Sequence, residues 1–222
     1  MKRLLVHVEG QTEETFVNKV LAPYLYTHGF SRVAARKVGN PRLVQRGGVQ
    51  SWDSVRRDIL RHLKDDTAAF GTTMFDFYGL PKSWPGRTQT ASLGPQQCAA
   101  EVETAILADV ERALGSATGP ARFVPYIVMH EFEGLLFSDC DALAEAVDRS
   151  LVAELRGIRD AFPTPEHIND SIETAPSKRL AKLKRGYQKV LAGERAMSRM
   201  GLEIVIQECP GFARWIQRLK QL

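Results

Sequence analysis

Residues 2–25 read KRLLVHVEGQTEETFVNKVLAPYL, and this stretch decides the fold class. Leu4-Leu5-Val6-His7-Val8 is a short apolar run that stops at Glu9-Gly10. A run of that length, closed by a glycine, predicts a buried strand. Thr12-Glu13-Glu14 then opens a segment in which Phe16, Val17, Val20, Leu21 and Tyr24 or Leu25 recur at helical spacing, with Pro23 expected to kink or end the helix. Glu9 and Glu13 therefore fall where a strand hands over to a helix. In an open α/β sheet, ligands bind at that carboxyl edge.

The same handover recurs further along. Residues 31–38 form a candidate strand, and helical spacing with Ser51 or Asp53 as cap marks residues 53–64. Residues 72–78, TTMFDFY, have the aromatic and threonine content of a strand. Alternation puts Phe75 and Phe77 on one face and Met74, Asp76 and Tyr78 on the other. A long turn-rich loop through Trp84-Pro85-Gly86 follows, then a helix over 96–114. Residues 122–129, RFVPYIVM, read as a third strand running into His130-Glu131-Phe132-Glu133. Alternating strands and helices predict a mainly parallel sheet flanked by helices.

Beyond residue 139 the pattern is helical: 142–147, 151–162, and one helix over 178–192 capped by Ser177. A short strand at 202–207 and a helix after Pro210 close the chain. The expected organisation is an α/β core over 1–139 and a helical subdomain over 140–222, whose short strand returns to the core.

The 222 residues are 44% hydrophobic and 25% charged, a globular composition. No apolar run approaches the roughly 20 residues that cross a bilayer. The basic start, Met1-Lys2-Arg3, is followed by too short an apolar run for a signal peptide. Cys98, Cys140 and Cys209 are odd in number and lack zinc-ligand spacing, so the expectation is a reduced, cytoplasmic protein. A net charge of +4 permits a polyanionic partner without requiring one.

Glu9, Glu13 and Asp76, with Glu131 or Glu133, form the constellation that bears chemistry. Carboxylates gathered without a cation repel one another and are driven to hold protons. Mg²⁺ or Mn²⁺ removes that conflict and takes oxygen ligands, commonly one or two carboxylates plus water and phosphate oxygens. Each acid also has an ordinary reading. Glu13 and Glu14 suit the first turn of any helix, Asp76 suits a strand end, and Glu131, Glu133 and His130 suit a solvated or structural turn.

The motifs VEGQTEETFVNKVLAPYL, FDFYGLP, the Trp84-Pro85-Gly86 loop, MHEFEGLLFSD, APSKRL and ECPGFARWI resemble the bacterial family called domain of unknown function 4276, over essentially the whole chain. That family is regarded as Toprim-like, related to OLD-type nucleases, and linked with anti-phage defence and partner ATPases. The resemblance implies a metal-binding role for Glu9 as the Toprim glutamate. It makes Glu13 the second acid of EGxxE, and Asp76 the first acid of Asp-x-Asp. Tyr78 stands where the second aspartate is expected, so Glu131 or Glu133 replaces it, or the Tyr78 hydroxyl orients a phosphate or water. OLD-type nucleases use a lysine against the phosphate, and Lys178 is the candidate here.

For nucleic acid, Lys178, Lys182, Arg185 and Lys189 fall on one face of the expected helix, either a phosphate track or a solvated surface. Lys82, Trp84 and Arg87 offer charge and stacking, with Trp84 equally suited to a packed lid. The expected function is a Mg²⁺- or Mn²⁺-dependent nuclease. Two alternatives are a non-catalytic module that binds nucleic acid or a partner ATPase, and a metal-dependent phosphotransferase.

Overall fold

A computed structural model describes residues 2–38, 51–115, 122–169 and 173–222. The opening apolar run forms β1 (Lys2–Val8). The helix after it is α1 (Gln11–Phe16), a π turn over Val17–Leu21, and α2 (Ala22–Tyr26). Pro23 does not end this helix. It lacks the N–H that an α-helix would use, and the preceding turn widens so that Ala22 N donates to Val17 O, five residues back. Then come β2 (Phe30–Lys37), α3 (Trp52–Asp65), β3 (Ala69–Asp76), α4 (Pro95–Leu114), β4 (Phe123–Val124) and β5 (Ile127–Val128). Residues 39–50 lie outside the described residues.

All strand pairs are parallel, in the order β2-β1-β3-β4, with β5 also on β3. The expected third strand, 122–129, is interrupted at Pro125, which has no donor for the ladder. Its register survives the gap: Gly71 pairs with Phe123 and Phe75 with Ile127. Thr73 bridges it, its Oγ1 donating to Tyr126 O at 3.0 Å and accepting from Tyr126 N at 2.9 Å. β3 ends at Asp76, and Phe77–Gly79 turn into a 3₁₀ segment, so Tyr78 has left the sheet.

The side chains of β1 split as a strand's must. Leu4, Val6 and Val8 enter an apolar cluster with Phe16, Leu21 and Leu25. On the other face Phe75, Phe123 and Ile127 pack with α3, α4 and Trp84. From β1 the chain moves outward to β2, whereas from β3 it moves the opposite way to β4. The gap between the carboxyl ends of β1 and β3 is thus the point where the winding reverses.

The helical region comprises α5 (Phe132–Leu136), α6 (Cys140–Val147), α7 (Val152–Asp160), α8 (Pro176–Leu183), α9 (Lys189–Met200), α10 (Leu202–Glu208) and α11 (Pro210–Lys220). It shares one continuous cluster with the α1 face of the sheet, from Leu4 to Leu219. Two expectations are corrected here. The helix over 178–192 is two helices, broken between Leu183 and Lys189 where Gly186 takes a left-handed φ of +77°. The strand over 202–207 is α10. Its buried residues, Leu202 and Val205, with Cys209 just beyond, recur at helical and not alternating spacing, so tertiary packing overrides the β-branched composition. Among the described residues, no helix is long and apolar enough to cross a membrane.

Candidate functional site

Glu9 follows the last residue of β1 and Asp76 is the last residue of β3, the two strands that flank the winding reversal. The turn after β3 folds back over Glu9. A Cβ placed on Gly79 would stand 3.4 Å from Glu9 Oε2, an ordinary contact distance, so the turn lies directly against the carboxylate. Glu13 sits in the first turn of α1, buried, with Oε2 accepting from Gly10 N at 3.0 Å. Asp76 Oδ1 accepts from Phe132 N at 3.0 Å, which ties the end of β3 to the start of α5. Glu131, the N-cap residue of α5, accepts from Ser177 N at 3.0 Å and so joins α5 to α8. Glu133 is fully buried, and Lys189 Nζ, from the first residue of α9, lies 3.0 Å from its Oε2.

These groups feel one another. Burial pushes the Glu9 carboxyl up to about 7, helped by Glu13 and Glu131 and opposed by Lys189. Burial likewise holds Asp76 well above the usual carboxylate range, reinforced by Glu13, Glu133 and Glu9. Glu133 is also pushed up to about 7, by burial against the pull of Lys189. Burial works against the charge on Lys189, but Glu133, Asp76 and Glu13 more than offset it and raise its pKa. Five acids and one lysine therefore share one electrostatic neighbourhood. Glu9 Oε2 and Glu133 Oε1 are buried atoms with no hydrogen-bond partner. Glu14 stands apart, paired with Lys37 at 3.0 Å.

His130 adopts φ +64°, a conformation a non-glycine residue seldom holds. Two bonds brace it. Tyr78 N donates to its carbonyl at 3.2 Å, and Asn169 Nδ2 donates to its Nδ1 at 3.1 Å. This kink turns the chain so that Glu131 and Glu133 follow β5 into the rim.

Glu9, Glu13, Asp76, Glu131 and Glu133 come together at this edge. Lys178 does not share the ion pair: it is exposed on α8, with Lys182 one turn on, and Arg185 is exposed beyond the helix end. The single basic face drawn from Lys178 to Lys189 is broken with the helix. Lys189 belongs to the acids; Gly186, a helix breaker, signals the break in the sequence but not where Lys189 then points. Tyr187, also missed, is half-buried with a buried hydroxyl that lacks a partner, its pKa raised by burial and then by Glu133 and Glu131. Lys82 is exposed. Trp84 is buried between Trp52 and Phe75, so of its two readings it is the packed lid. Arg87 lies over the Phe77 ring, 4.0 Å from its centroid.

Residues 8–220 match the family described as domain of unknown function (DUF4276). The chain belongs to that family. No curated protein and no solved structure matches it. The family match spans both the sheet and the helical region, so the acids from β1, β3 and α5 and the lysine from α9 all lie within it.

Among the described residues, no three His, Cys, Asp or Glu side chains converge as a preformed metal cage. The donor set nevertheless suits Mg²⁺ or Mn²⁺. It is all oxygen, its acids outnumber its cation, and Glu9 presents an oxygen that nothing else uses. A hard ion of this kind needs only one or two protein carboxylates, with water and phosphate oxygens filling the octahedron.

Proposed function

We propose that this protein is a Mg²⁺- or Mn²⁺-dependent hydrolase of nucleic-acid phosphodiesters, a Toprim-like nuclease. The observation that carries the reading is the meeting of Glu9 and Asp76 at the winding reversal, with a buried Glu9 oxygen unclaimed by any donor. Glu9, Glu13 and Asp76 would hold the ion. Bound there, it would polarise the phosphodiester and acidify an attacking water. Asp76 is oriented by Phe132 N, and Glu131 by Ser177 N. Lys189, and not Lys178, is the lysine that lies beside the acids in the absence of an ion. Exposed Lys82, Lys178, Lys182 and Arg185 would meet the nucleic-acid backbone by charge alone. The anti-phage setting and a partner ATPase rest on the family resemblance.

Plasmid nicking with Mg²⁺ or Mn²⁺ tests the proposal. Wild-type protein should nick, and Glu9→Gln and Asp76→Asn should lose at least about a hundredfold in rate, as expected when a group central to charge stabilisation is removed. Equal cleavage by all three would refute it.

A second reading has its own observation. Tyr78 occupies the position of a second aspartate, has left the strand, and offers a phenol in place of a carboxylate. With one ligand fewer, the site would bind nucleic acid or an ATPase without cutting. Binding of DNA unchanged by Mg²⁺, with no nicking under any divalent ion, would favour this reading.

A further inference from the structure

The cation nearest the acids is part of the chain itself. Lys189 Nζ lies 3.0 Å from Glu133 Oε2, and the same ammonium acts electrostatically on Glu9, Glu13 and Asp76. Other basic residues nearby are used elsewhere: Lys184 pairs with Asp148 at 2.8 Å and Lys37 with Glu14. The pair is also lopsided. The Glu133 side chain is 0% exposed, whereas that of Lys189 is 41% exposed. The carboxylate is fixed and the ammonium has a way out to water.

The backbone beneath that lysine is fixed as well. α9 lies against α1 and α5 at Gly193, where a Cβ would come within 3.2 Å of Phe132 and 3.4 Å of Thr12. Lys189 can leave the acids by turning its own side chain, whose long flexible stem allows it. Buried carboxylates must be neutralised by something. An ammonium and a divalent ion cannot both lie among the same few oxygens without strong repulsion.

We infer that Lys189 is a resident counter-ion of this site: its ammonium neutralises the acids while no metal is bound and swings outward when a divalent ion enters. This rests on the proposed metal site and adds a regulatory property to it. The lysine weakens metal affinity and sets a threshold concentration of ion below which the acids stay closed by an internal pair.

Two measurements on the full chain test it. Free Mn²⁺ is followed by electron paramagnetic resonance during titration of wild type and Lys189→Met. The variant keeps an unbranched side chain, one atom shorter and without the charge, and should bind Mn²⁺ at least tenfold more tightly. The second measurement needs no variant, and so is immune to misfolding. Reductive methylation of wild type, read peptide by peptide by mass spectrometry, should label Lys189 at least fivefold faster with saturating Mg²⁺, with Lys184 unchanged as the internal reference. If Mg²⁺ binds and Lys189 labelling does not rise, or if Lys189→Met folds and binds Mn²⁺ no more tightly than wild type, the counter-ion inference is overturned while the metal site stands. If neither form binds Mn²⁺, the metal site is refuted and the inference falls with it.

Discussion

Glu133 and Lys189 are 56 positions apart in sequence, on α5 and α9, yet their charged atoms lie 3.0 Å apart and only the lysine touches water. This contact fastens α9 to α5, beside the rim of the sheet where the other acids gather. It also makes the acids and the C-terminal helices one unit, in keeping with the apolar cluster that runs unbroken from β1 to α11.

Removing one partner of that pair should cost more than removing both. Lys189→Met leaves a buried carboxylate uncompensated and is expected to lose about 2–4 kcal/mol at pH 8 without metal. Adding Glu133→Gln to it should recover most of the loss. Urea denaturation of both single variants and the double variant gives the coupling directly.

Gly86 anchors the Trp84-Pro85-Gly86 loop against α4. It adopts φ +75°, and a Cβ there would come within 2.8 Å of Glu101 O, a backbone atom that cannot give way. Gly86→Ala combines left-handed strain with a backbone clash and should cost about 2–3 kcal/mol. Thermal melting measures the loss, and increased quenching of tryptophan fluorescence by acrylamide reports whether Trp84 leaves its pocket.

Glu103 offers a pH test remote from the acidic rim. It is buried in α4, accepts from Ile127 N at 3.0 Å, and faces Arg214, Arg218 and Glu166. Burial pushes its carboxyl up to about 7, so between the ordinary carboxylate range and pH 7 the folded state holds a proton that the unfolded chain has released. Stability from this residue is thus fully present below the unfolded pKa and is lost as pH rises toward 8. Glu103→Gln keeps an acceptor for Ile127 N and carries no charge. The variant should gain on the order of 2 kcal/mol over wild type at pH 8 and nothing at pH 4. Denaturation curves of both proteins at the two pH values check the sign.

Divalent ions should stabilise the fold, because they bind the assembled acids and not the unfolded chain. At about one hundred times its dissociation constant, Mg²⁺ should add about 2.7 kcal/mol, and the rise in melting temperature should vanish in Glu9→Gln. Differential scanning calorimetry with and without chelator measures it.

The sheet and its acids were legible because their signals are local. An apolar run ending in Glu9-Gly10, and a second ending in Asp76, declare both the strand and the direction in which it delivers its last residue. The break at Pro125 was legible in principle too, since proline cannot donate to the ladder. What misled was continuity. The apolar spacing of Leu180, Leu183, Tyr187 and Val190 suggests one helix, and only the left-handed Gly186 separates α8 from α9 and frees Lys189 to face the acids. Leu202-Glu203-Ile204-Val205-Ile206 has strand composition, and its helical state is set by what it packs on. The Glu133–Lys189 contact joins two helices whose relative placement no periodicity encodes.

A metal centre at this edge requires Glu9 and Asp76 to share a divalent ion. The most direct measurement is the anomalous scattering of crystals soaked in Mn²⁺. A peak bonded to both carboxylates is expected, with Lys189 Nζ withdrawn from Glu133. A fully soaked crystal with no peak between Glu9 and Asp76, and Lys189 still seated on Glu133, would contradict it.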